Sequence, residues 1–138
     1  HPPVARKLRY ENTIHEALGI REVELSPDRV VMEMDVGPRV HQPRGLLHGG
    51  ASAVIAESAA TIGGYLNCDL DKEVAMGTEL NISHLRAKPS GTLTAIATPI
   101  RRGRTMHVWA IDLVDEDGKA IAVARCTLAV RPISKEQV

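Results

Sequence analysis

Across 138 residues, seventeen basic side chains balance seventeen acidic ones, so no sequence-wide field draws the chain to nucleic acid or an anionic membrane. The length suits one domain with a sizeable core, no apolar run approaches a bilayer span, and no signal peptide is visible. With no Phe, one Trp and two Tyr, stacking surfaces for bases are scarce, and two cysteines without CxxC spacing read as reduced thiols, so a cytoplasmic location is expected.

Residues 5–17 are weakly amphipathic, with Leu8 and Ile14 among charges, and Gly19 stops what reads as a short helix. Segments 19–25 and 29–36 alternate about Ser26-Pro27-Asp28, which predicts a β-hairpin. A loop over 37–46 carries the breakers Gly37, Pro38 and Pro43. Residues 49–66 then read as a helix. Ala51, Val54, Ile55, Ser58, Ile62, Tyr65 and Leu66 recur at helical spacing, and Gly50, Ala53, Glu57, Thr61 and Gly64 line a neighbouring face. Segment 73–86 predicts a long strand, with Val74, Met76, Leu80 and Ile82 on one face and Glu79, Asn81 and Ser83 on the other. Pro89-Ser90-Gly91 turns the chain into a strand over 92–100, and Arg101-Arg102-Gly103-Arg104 makes a charged turn. Segments 106–114 and 119–130 form a last hairpin. Hairpins in sequence predict an α+β domain over 1–138, a five-stranded antiparallel sheet wrapped around the long helix.

Within that helix Glu57 is the one charged residue between His48 and Cys68. It is either a solvent-facing helix residue or a carboxylate covered by its apolar neighbours, in which case burial would raise its pKa and poise it as a base or acid. At the helix start, free backbone N–H groups and the positive dipole end favour an oxyanion, and glycines let a ligand approach. Six histidines show neither HxH nor HExxH spacing, so no metal is expected. Neither cysteine has a nearby His or helix N-terminus to lower its pKa, and Ser58 sits in no GxSxG elbow.

The stretch Gln42-Pro43-Arg44-Gly45-Leu46-Leu47-His48-Gly49-Gly50, with Ala56-Glu57-Ser58 and Thr61 after it, closely resembles the acyl-CoA thioesterases of the hot dog superfamily. The resemblance is nearest to the branch of 4-hydroxybenzoyl-CoA, 1,4-dihydroxy-2-naphthoyl-CoA and phenylacetate-pathway thioesterases. It extends over about 18–130 and includes Asn81-Ile82-Ser83-His84 and Val108-Trp109.

The resemblance implies a hot dog fold and hydrolysis of an aryl- or medium-chain acyl-CoA, with no cofactor, since coenzyme A belongs to the substrate. Glu57 would activate water or attack the thioester, and the Gly49 N–H would polarise its carbonyl. Gln42 and His48 would be polar companions, with Thr61 orienting the water and Gly50 beside the substrate. His48 alternatively caps the helix. His84, on the strand parity of Leu80 and Ile82, is either an acyl contact or a core histidine. Arg86, Lys88, Arg101, Arg102, Gly103, Arg104 and Thr105 offer a rim for the coenzyme A phosphates, or else a solvated hairpin tip.

Two other functions suit such a fold, an enoyl-CoA hydratase or hydroxyacyl dehydratase and a non-catalytic acyl-CoA-binding module. Against the hydratase, no Asp-x-x-x-x-His is found. Gly49 and Glu57 lie eight residues apart, about 12 Å along a helix, too far to serve one carbonyl from one chain. A two-fold dimer with antiparallel helices is therefore expected, and the resemblance extends this to a homotetramer.

Overall fold

A computed structural model describes residues 8–133. Its elements run α1 (Ile14–Leu18), β1 (Arg21–Ser26), β2 (Arg29–Asp35), a 3-10 turn (Pro38–Val40), α2 (Gly49–Leu66), β3 (Glu73–His84), β4 (Thr92–Arg102), β5 (Met106–Val114) and β6 (Ala120–Pro132). The strands form one antiparallel sheet of six, not five, in the order β1-β2-β4-β5-β6-β3. Each alternating segment of the sequence pairs, but β3 and β4 make no hairpin. From the end of α2 the chain lays β3 against β6 at one edge, and β4 returns to lie beside β2.

The apolar faces of the strands meet α2, which touches every strand. Met32, Met34, Leu93, Trp109, Ile111, Leu113 and Leu128 are fully buried beneath it. The sheet-facing stripe of α2 is made of Ser52, Ile55, Ala56, Ala59, Ala60 and Gly63, while Val54, Ser58, Tyr65 and Leu66 sit half-buried on its flanks. Small residues take this face because the helix rides close to the sheet. A Cβ at Gly63 would lie 2.5 Å from the Trp109 ring, and one at Gly64 2.6 Å from Leu128. Asn67 closes the helix, its amide donating to the Gly63 carbonyl at 2.8 Å.

Two local features depart from the expected pattern. The sequence predicts Val74 and Met76 on the same face as Leu80 and Ile82, but a bulge between Gly77 and Glu79 shifts the parity. Ala75, Leu80, Ile82 and His84 face the helix side, opposite Val130, Cys126, Ala124 and Ala122 of β6, whereas Met76 is on the outer face, 41% exposed. At the N-terminus, α1 is shorter than the helix expected over 5–17. Asn12 takes φ 59° and the Thr13 hydroxyl donates to the Tyr10 carbonyl at 2.6 Å, a turn that starts the helix only at Ile14. Residues 5–7 of that expectation lie outside the described residues. Gly19 ends the helix at φ 70°.

Candidate active site

The loop before α2 is folded by its own backbone. The Gln42 N–H donates to Leu46 (2.7 Å), the Gly45 N–H to Gln42 (2.9 Å), the Leu47 N–H to Lys88 (2.9 Å) and the His48 N–H to Val40 (2.8 Å). Gly45 takes φ 79°, a turn position suited to glycine. The Gln42 side-chain oxygen accepts from the Arg44 N–H at 2.5 Å, which fixes its amide so that the NH2 is the free, donating end. His48 caps the helix, Nδ1 accepting from the Gly50 N–H at 2.7 Å.

That cap decides which backbone donor is left at the helix start. The Gly50 N–H is consumed by His48, so Gly50 offers no donor to a ligand, and His48 borders a separate cavity beside His41. The Gly49 N–H has no acceptor among the described residues. Gly49 lines a cavity of about 390 Å³ with Gln42, His84 and Arg86. The His84 ring packs on Gly49 so closely that a Cβ there would lie 2.8 Å from Nε2, which places His84 at the helix terminus and not in the core.

Glu57 lies elsewhere. Of the two alternatives for it, the structure shows the solvent-facing one: Glu57 is exposed, and its own fold does not cover it. Its carboxylate lies over β3, where a Cβ at Gly77 would sit 3.2 Å from Oε1. Glu57 and Thr61 line a second cavity of about 320 Å³ between α2 and the segment 8–15, shared with Tyr10, His15, Ser58 and Tyr65. The chain thus brings Gln42, Gly49 and His84 together, and Glu57 with Thr61, but the two groups open into different cavities.

Among the basic residues, Arg102 is already engaged, donating to Asp28 at 2.6 Å, Pro27 at 3.2 Å and Asn67 at 3.3 Å. Lys88 is buried in an ion pair with Glu116 at 2.5 Å. Both are structural ties in this chain. Arg86, Arg104 and Thr105 are exposed, and the Gly103 N–H is spent on Met106 at 2.8 Å. Arg104 and Gly103 border a cavity with His107, remote in the fold from the Gly49 cavity's lining.

Burial pushes the Cys68 thiol up to about 11 and the Cys126 thiol to about 12, the latter helped by the Glu57 and Glu79 charges. Neither is a poised thiolate. Burial lowers the pKa of His15 and of His107, and the Arg102 charge lowers His107 further. Among the described residues no group of His, Cys, Asp and Glu has metal-binding geometry, and no helix is long and apolar enough to cross a membrane. Tyr10, His15 and Ser58 escape notice in the sequence as site residues. The bond that joins them to the cavity, His15 Nε2 to Ser58 Oγ at 2.7 Å, spans 43 positions with no local signature.

Comparison with known proteins adds to this geometry. A profile described as Thioesterase superfamily matches residues 44–122. A 1,4-dihydroxy-2-naphthoyl-CoA hydrolase of Listeria monocytogenes is 41% identical over 118 residues, 86% of this chain and 95% of that protein. The proofreading thioesterase EntH of Cronobacter turicensis is 40% identical over 118 residues, 86% and 85% of the two chains. Among solved structures, a mutant thioesterase from Pseudomonas aeruginosa superposes with a TM-score of 0.86 at 43% identity, covering 94% of this chain and 91% of the other.

Proposed function

We propose that this chain, which belongs to the thioesterase superfamily and is a thioester hydrolase, acts on acyl-coenzyme A, each site combining Glu57 of one protomer with the Gly49 N–H of another. The observation that carries this reading is the Gly49 N–H, without an acceptor among the described residues, at the start of an eighteen-residue helix in a cavity with the Gln42 amide. A helix N-terminus with one donor left open suits a developing oxyanion.

In the reaction, Glu57 takes a proton from water as the water oxygen bonds to the thioester carbon. The carbonyl oxygen becomes anionic and is held by the Gly49 N–H, a contribution of roughly 3–4 kcal/mol for such a donor. The C–S bond then breaks and coenzyme A departs as its thiolate, which needs no strong general acid. A positioned base adds about 10²–10⁴-fold. Thr61, one turn beyond Glu57 and in the same cavity, orients the water, and Gln42 supports the oxyanion.

The two-chain arrangement follows from spacing. Gly49 and Glu57 are about 12 Å apart along α2, whereas oxyanion donor and base must converge on one carbonyl. A two-fold axis that sets two α2 helices antiparallel brings each Gly49 beside the partner's Glu57 and covers the carboxylate that one chain leaves exposed. The outer edge of the twelve-residue strand β3, over which Glu57 lies, has no neighbouring strand among the described residues and is a template for such a contact. Pairs of dimers would give a homotetramer. The acyl group, aryl or medium-chain, enters the cavity beside Thr61, and Arg86, Arg101 and Arg104 are exposed cations open to the phosphates. Two free thiols fit a cytoplasmic enzyme.

A thiol-release assay over benzoyl-, phenylacetyl- and straight-chain acyl-CoAs tests the reading. Turnover of at least one of them, abolished by Glu57→Gln, supports it. No thiol from any acyl-CoA, or a fully active Glu57→Gln, overturns it.

A further inference from the structure

The cavity beside Glu57 is bounded on one side by α2 and on the other by the segment 8–15. Both tyrosines of the chain, Tyr10 and Tyr65, line it. The His15 ring lies 4.6 Å from the Tyr10 ring, centroid to centroid and tilted by 50°, so the two form a joint surface on the segment. From that surface His15 reaches across to α2, Nε2 to Ser58 Oγ at 2.7 Å. Among the described residues this is the one side-chain hydrogen bond between segment 8–15 and α2. Ser58 follows Glu57 directly, so the contact lies at the cavity's reactive end.

We propose that His15 is a specificity-determining residue, a strut that through Ser58 fixes the separation of segment 8–15 from α2 and so limits the length of acyl group the cavity accepts. The proposal rests on the acyl-CoA reading above and deepens it. With the strut in place, acyl groups that fit the existing space of about 320 Å³ are taken and longer chains are turned away by the Tyr10–His15 surface. The Thr13 hydroxyl donates to the Tyr10 carbonyl within the segment, and His15 itself sits in the first turn of α1, which Gly19 caps, so loss of the strut frees the wall without dissolving its local fold. Ser58 is half-buried, and no other side chain bonds to it among the described residues, so removing either partner severs the same tie.

The test compares wild type, His15→Ala, Ser58→Ala and His15→Gln by thiol release from butanoyl-, octanoyl- and dodecanoyl-CoA, with thermal melts for each. A strut predicts that kcat/KM for dodecanoyl- over butanoyl-CoA rises at least about tenfold in both alanine variants, the scale on which pocket fit discriminates methylenes. His15→Gln, whose amide can reach Ser58, returns the ratio toward wild type. A merely structural contact would lower activity on all three substrates together and leave the ratio unchanged. If His15→Ala fails to fold, Ser58→Ala decides alone. An unchanged ratio in folded alanine variants, with wild type active and Glu57→Gln inactive, overturns the strut and leaves the acyl-CoA reading standing. No hydrolysis by wild type overturns both.

Discussion

Gly63→Ala probes how α2 is seated on the sheet. The added Cβ would sit 2.5, 2.7 and 2.8 Å from three atoms of the Trp109 ring, none of them the end of a flexible chain. Trp109 is fully buried, and its Nε1–H donates to His107 Nδ1 at 3.4 Å, so the ring has little room to turn aside. Overpacking of this kind costs about 1–3 kcal/mol, and the rigid neighbour argues for the upper end. Replacing glycine by alanine inside a helix returns about 1 kcal/mol. The net is a loss of about 2 kcal/mol, which at the usual unfolding entropy for this length lowers Tm by about 7 °C. Differential scanning calorimetry at fixed protein concentration reads it, with Gly37→Ala as control, since nothing lies within 4 Å of a Cβ there. A Tm raised by the few degrees that helix propensity alone demands would refute the close seating of α2 against Trp109.

Glu57→Ala and Glu57→Gln should lose two or more orders of magnitude in kcat while still binding a non-hydrolysable acyl-CoA, measured by titration calorimetry. Gln42→Ala and Thr61→Ala should lose less, since neither supplies the base or the backbone donor, and wild-type kinetics in both would remove them from the site. Glu116→Gln should lower Tm, because Lys88 is left buried without its partner. The Lys88 hydrogen bond holds the Glu116 carboxyl below its ordinary value, so this contribution is present near neutral pH and is lost as pH falls below about 4. His15 and His107 act in a different window. Burial lowers both, so the unfolded chain takes up these protons first; the stability they confer is full above about pH 7 and declines as pH drops through 6.5. His107→Gln should flatten that decline in melts run from pH 7.5 to 5, and an unchanged slope would exclude His107 as a source.

The long helix was legible from end to end, because His48-Gly49 marks its start and the uncharged run to Leu66 its length. Six alternating segments were equally plain, but the sheet expected from them had five strands where the structure has six, and their order was not legible. Alternation reports which face of a strand is apolar, not which strand it pairs with, and the placement of β3 beside β6 is a long-range outcome of α2 crossing the sheet. The bulge at Gly77 was hidden for a related reason, since Met76 fits the alternation and only the register with Leu128 shows the slip. At the candidate site, Gln42 and Gly49 stand out together because one short motif holds them, and they share a cavity, whereas Glu57 opens into another. His48 presented two roles in the sequence, and its short bond to the Gly50 N–H makes it a cap. Arg102 was a candidate for the coenzyme A rim, and its bonds to Pro27, Asp28 and Asn67 join residues 35 to 75 positions away, which no local pattern announces.

Subunit complementation tests the shared site most directly. Glu57→Ala removes the carboxylate from one protomer, and Gly49→Pro removes the N–H from the other at a helix position that accepts proline, with His84 displaced by the ring. In a mixed dimer one site carries both lesions and the other carries none. After verified exchange of an equal mixture, half the dimers are mixed and each has one intact site, so thiol release should recover to about a quarter of the wild-type rate. Two parent variants that stay inactive after complete exchange, or an active monomer, would contradict a site built from two chains.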